Sequence, residues 1–97
     1  MVKLIWSPRS LDDLKIIFDY ISPDSVENAR HFINRIVETT LTIPEFPFAG
    51  REVPEFQNPR YREKVYEKYR IIYRVDQEFI KVVTILHQSR RLNKYYD

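Results

Sequence analysis

The stretch REKVYEKYRIIYRVDQEFIKVVTIL, residues 62–86, decides the fold. It breaks at short polar points into three β-rich runs: REKVYE at 62–67, YRIIYRV at 69–75 and FIKVVTIL at 79–86. Runs this close together form an antiparallel meander. In the second run Tyr69, Ile71, Tyr73 and Val75 fall on one face, and Arg70, Ile72 and Arg74 on the other. The third is apolar at nearly every position except Lys81 and Thr84. That pattern predicts a central strand covered on both faces.

Upstream of the meander the period changes. VKLIW at 2–6 is a short run of strand formers. Ser7 and Pro8 then supply a capping residue and a proline at the first helical position. Asp12 and Asp13 sit early, where the helix dipole favours acids. Leu11, Leu14, Phe18 and Ile21 recur at helical spacing, with Ile17 widening the stripe, so a first helix is predicted from about Pro8 to Tyr20. Asp24 with Glu27 three residues on reads as a capping box for a second helix. Its stripe is Ala29, Phe32, Ile33, Ile36 and Val37, and it ends near Ile43 because Pro44 cannot continue it. Helices joined by about three residues form an antiparallel hairpin.

Between helices and meander lies PEFPFAGREVPEFQNPRY, with four prolines and the chain's only glycine. It reads as a long loop packed by its aromatics Phe46, Phe48 and Phe56. The expected architecture is α+β in the order β-α-α-β-β-β, a helical hairpin packed on a small antiparallel sheet within one domain, 1–97. The first strand must join that sheet, since its backbone groups need partners. Trp6 is expected in the core.

Composition narrows the chemistry. The 97 residues are 43% apolar and 31% charged, the balance of a globular chain. The absence of cysteine removes disulfides and thiolate nucleophiles. With His31 and His87 the only imidazoles, neither a metal centre nor a cofactor is expected. No apolar run approaches the roughly 20 residues of a membrane span, and the start lacks the pattern of a signal peptide, so the cytoplasm is the expected location. Charge is uneven. Residues 1–43 hold five Lys/Arg against six Asp/Glu, whereas residues 60–97 hold ten against five. The basic half points to an anionic partner, either nucleic acid or an acidic protein segment.

GREVPEF at 50–56, YREKVYEKYRIIYRV at 61–75 and VVTILHQSRRL at 82–92 carry a resemblance over nearly the whole chain. The chain resembles the RelE/ParE superfamily of bacterial type II toxins, and the ILHQSRR ending is most similar to the ParE branch. The resemblance implies a toxin that poisons DNA gyrase by binding, held in a toxin–antitoxin hetero-oligomer by an acidic antitoxin segment that wraps it. The alternative branch cuts mRNA on the ribosome. Such chemistry needs a base, an acid and positive charge at the phosphate. For that alternative the resemblance implies Arg62, Lys64, Arg70, Arg90 (or Arg91) and Tyr95 (or Tyr96). Arg62 departs from the pattern, which has a lysine there. For the binding branch the candidate target surface is His87, Arg90, Arg91, Tyr95 and Tyr96. His87, closing an apolar run, reads as a structural histidine, and His31 as a surface one. Arg70 and Arg74 have the plainer role of pairing with Glu63 or Glu67 across the strands. The outer groove of the helical hairpin, the basic C-terminal half and an exposed sheet edge are the expected antitoxin sites.

Overall fold

Strand β5, Phe79–His87, lies inside the sheet, as its apolar run predicts. The structure is a computed structural model and describes residues 2–92. The remaining elements are β1 (Lys3–Trp6), α1 (Pro8–Ile21), α2 (Val26–Leu41), β2 (Arg51–Glu52), β3 (Tyr61–Tyr66) and β4 (Tyr69–Val75). The sheet order is β1-β5-β4-β3-β2. The antiparallel sheet expected from sequence is instead mixed: β1 runs parallel to β5, with Lys3 opposite Phe79 and Trp6 opposite Val82. A strand's direction follows from where its helix must pack, which alternation along the strand does not encode. The extra strand, β2, comprises two loop residues pairing with Arg62 and Glu63.

Ser7 caps α1 by accepting from Ser10 N at 3.0 Å, with Pro8 next. Its hydroxyl also donates to Val83 O at 2.7 Å, joining the helix start to β5. The cap of α2 is Ser25, accepting from Asn28 N at 3.1 Å, one residue after the Asp24 predicted. Asp13 is not a first-turn acid either. Its carboxylate accepts from Thr84 Oγ1 and, at 2.9 Å, from Ile85 N. Those residues adjoin a bulge in β5: Ile72 faces Thr84 and Tyr73 faces Val82, so Val83 has no counterpart in β4. Asp13 thus pins α1 to an irregular point of the sheet.

The two sheet faces are covered differently. Ile71, Val82 and Ile85 pack with Ile17 of α1 and Ile36 of α2, and partly buried Trp6, Leu14 and Phe32 extend that core. On the opposite face Ile72, Val83 and Leu86 pack with Val53 from the loop and Leu92 from the chain's end, flanked by Phe56 and Tyr61. Loop and tail together make the second layer. Phe46 and Phe48, expected to anchor the loop, are 67% and 54% exposed; Ile43 and Val53 are the anchors, with Phe56 edge-on to Tyr61 at 4.8 Å. Gly50 is required where it stands, because a Cβ there would meet Tyr73 Oη and lie 2.9 Å from Glu63 O.

Candidate functional site

Arg70 pairs with Val65 across β3 and with Leu86 across β5, on the face away from the helices. Glu63, two residues before Val65, shares that face by the period of the strand. Arg70 Nε and Nη2 donate to Glu63 Oε1 at 2.8 and 2.6 Å. From the loop, Glu55 accepts from Arg70 Nη1 and Nη2 at 2.7 Å each. The other Glu63 oxygen accepts from Arg51 Nε at 2.8 Å and from Arg51 Nη2. Every carboxylate oxygen of Glu55 and Glu63 therefore has a guanidinium partner. The Arg70 and Glu63 side chains are only 8% and 1% exposed. Such burial is tolerated only because each charge is paired. The Arg70 hydrogen bonds hold the Glu55 carboxyl down at about 2, against desolvation, with the Leu92 amide assisting. In turn Glu55, then Glu63, keep Arg70 firmly protonated.

The chain beyond β5 is laid across this cluster. Gln88 N donates to Lys68 O at 2.7 Å, and Arg90 N to His87 O at 2.9 Å. Arg70 Nη1 reaches Arg90 O at 3.4 Å, and Leu92 N donates to Glu55 Oε2 at 2.9 Å. Arg90 and Arg91 are both exposed, and neither forms an ion pair among the described residues. His87 sits edge-on to Tyr69 at 5.5 Å, and its Nδ1 accepts from Ser89 N at 3.1 Å. Tyr95 and Tyr96, expected at the target surface, lie outside the described residues.

Of the described residues implied for RNA cleavage, Arg70 and Arg90 come together, whereas Arg62 and Lys64 lie on the other face. Arg62 faces Tyr73 and Lys64 faces Ile71, so both alternate onto the helix side, opposite Arg70. Lys64 Nζ donates to Thr42 Oγ1 at 3.1 Å, at the end of α2. Arg62 donates to Pro59 O at 2.8 Å and to Phe48 O and Gly50 O at 3.3 and 3.2 Å, with its guanidinium 5.0 Å from the centre of the Phe48 ring. It organises the loop. Arg74 pairs with Asp76, just past the end of β4, at 2.8 Å. Sequence reasoning offered Glu63 as an Arg70 partner but missed Glu55 and Arg51. Their only signal was their place in GREVPEF, the motif beside the meander.

Two depressions flank residues 87–91. A polar cleft of about 610 Å³ is lined by Arg51, Glu55, Glu63, Arg70, Arg90 and Arg91. A larger groove, about 810 Å³, runs between α1 and the ends of β4 and β5, with Ile16, Tyr20, Phe32 and Tyr69 in its walls. Ile16 and Tyr20 are 65% and 79% exposed, and Arg90 borders both depressions. Among the described residues no group of three or more His, Cys, Asp or Glu is placed to hold a metal ion.

Two helices on a five-stranded mixed sheet, with a basic strand end, define a small toxin of the type II toxin–antitoxin class. A family model described as the ParE toxin of the type II toxin–antitoxin system parDE matches residues 4–92, and the chain belongs to that family. Among solved structures, a chain of the chromosomal ParDE system of P. aeruginosa superposes with a TM-score of 0.76 at 24% identity, over 90% of this chain and 96% of that one. A chain of the YoeB dimer of Staphylococcus aureus superposes with a TM-score of 0.57 at 20% identity, over 86% and 92%. Identities this low speak for the shared fold. No curated protein matches the chain by sequence.

Proposed function

We propose that this chain arrests DNA gyrase by binding, without chemistry of its own, and that a cognate antitoxin neutralises it. The observation that carries this reading is the state of Arg70. Arg70, which the resemblance implies for RNA cleavage, already spends its donors on Glu55, Glu63 and the Arg90 carbonyl. A guanidinium so neutralised adds little to a developing negative charge. Lys64 and Arg62, the other two sheet cations that the resemblance implies, are on the opposite face. The support for a binding surface is the pair of exposed arginines, Arg90 and Arg91, beside a polar cleft. Paired surface arginines suit a partner that presents carboxylates or phosphates.

The antitoxin part of the proposal rests on the groove along α1. Its exposed Ile16 and Tyr20, with Arg9, Lys68 and Arg90 nearby, suit an amphipathic segment with an acidic edge. Among the described residues no helix is long and apolar enough to cross a membrane.

The test is direct. Purified protein added to gyrase and relaxed plasmid should block supercoiling and trap cleaved DNA. Untouched supercoiling, together with cutting of ribosome-bound mRNA, would replace this reading with the enzymatic one.

A further inference from the structure

We propose that Glu55 is a positioning residue for the target-binding arginines, acting through the backbone of residues 90–92 rather than by touching the target. The inference rests on the reading of Arg90 and Arg91 as contact residues. The Glu55 side chain joins three separate parts of the chain. Its own segment is the loop that carries buried Val53. Its two oxygens chelate Arg70 on β4 at 2.7 Å each, and Oε2 also takes the Leu92 amide at 2.9 Å. Arg70, so fixed, reaches the Arg90 carbonyl at 3.4 Å.

The short segment between His87 and Leu92 is thus held at both ends. At one end Arg90 N closes a turn on His87 O at 2.9 Å. At the other, Leu92 is tied by its amide to Glu55 and by its side chain, 5% exposed, to the core made by Val53, Ile72, Val83 and Leu86. Arg90 and Arg91 lie between these ties, and both are exposed beside the polar cleft. A flexible basic tail would lose conformational entropy on meeting its target; a tail already fixed does not. Glu55 supplies that fixing, because a carboxylate alone offers enough acceptor sites for a bidentate arginine and an amide together.

The experiment compares Glu55→Gln and Glu55→Asp with the parent protein. The first has a single acceptor oxygen. The second keeps the charge and shortens the reach by one methylene, which guards against a variant that fails to fold. Amide exchange of Leu92, followed by NMR, should quicken at least about tenfold in both, while amides of β4 stay protected. Unchanged protection of Leu92 overturns the proposal, whatever the target. The second readout is gyrase-dependent DNA cleavage. Either Glu55 variant should weaken it by about tenfold, and the loss should vanish when Glu55→Gln is made in an Arg90→Ala/Arg91→Ala background. An equal loss in both backgrounds would mean that Glu55 acts by a route other than these arginines, and the proposal would fall. If Arg90→Ala/Arg91→Ala alone leaves cleavage intact, the arginines are not the contact and the underlying reading fails, a result distinct from either of the others.

Discussion

Arg70 and Glu55, 15 residues apart in sequence, meet in a two-bond chelate with both distances at 2.7 Å. The pair sits on the sheet face that the helices do not cover, and it joins the GREVPEF loop to the central meander. That contact acts with buried Val53 and the Arg62 bonds to Phe48 O and Gly50 O to fix the path of a loop with four prolines and little regular structure.

Arg70→Ala should be the most damaging single charge deletion in this cluster. It leaves Glu55 without its guanidinium and buried Glu63 with Arg51 alone, which costs about 3–5 kcal/mol. Arg51→Ala removes a partner whose side chain is 67% exposed and should cost under about 1 kcal/mol. Urea unfolding of both variants checks the order.

Acid should loosen the same cluster. Glu55 has its carboxyl lowered from 4.5 to about 2. A depressed carboxylate contributes stability above its unfolded value, and loses it as pH falls through the folded one. Stability should therefore decline between pH 4.5 and 2, by up to about 3 kcal/mol from this group. Glu55→Gln should flatten the pH profile in that window, as measured by denaturation at graded pH.

Asp13→Ala should destabilise far more than Asp12→Ala. Asp13 satisfies the Ile85 amide and the Thr84 hydroxyl beside the β5 bulge, so its loss costs about 1–3 kcal/mol. Asp12 is exposed, and its removal should fall within about 0.5 kcal/mol. Thermal melts of the two variants separate these expectations.

Gly50→Ala should cost about 1–3 kcal/mol through overpacking against Tyr73 Oη and Glu63 O. Tyr73→Phe removes one of the two obstacles, together with the bond to Pro47 O at 2.7 Å. Combined, the two substitutions should cost less than the sum of their separate effects, which a double-mutant cycle of unfolding free energies would reveal.

Lys64→Ala should leave gyrase poisoning within about twofold, because the side chain reaches Thr42 on the helix side, away from Arg90 and Arg91. A matching loss of ribosome-dependent mRNA cutting would instead assign Lys64 to catalysis.

The elements were legible in the chain where periodicity is strong. The meander, both helices and the burial of β5 follow from apolar spacing alone. Three features were not legible. Strand alternation carries no sign of direction, so the parallel β1 escaped. The apolar run of β5 marked cover on both faces, but nothing marked Val53 and Leu92 as the residues that supply the second core. Opposite ends of a side-chain pair far apart in sequence, such as Glu55 and Arg70, have no local signature. The site shows the same limit. Arg62, Lys64 and Arg70 looked like one basic set in the sequence, yet a one-residue difference in strand parity sends Arg70 to the other face.

The parallel pairing of β1 with β5 also bears on synthesis. Ser7 and Val83, hydrogen-bonded at 2.7 Å, are 76 residues apart. During translation at about 5–20 residues per second, the first strand waits about 4–15 s for the strand it pairs with. Until then β1 has no sheet to join, and α1 has no bulge for Asp13 to grip. The nascent chain therefore cannot assemble its basic strand end early. A cell making this protein has an interval of several seconds per molecule in which the chain exists but its folded surface does not, and that interval is set by topology rather than by any inhibitor.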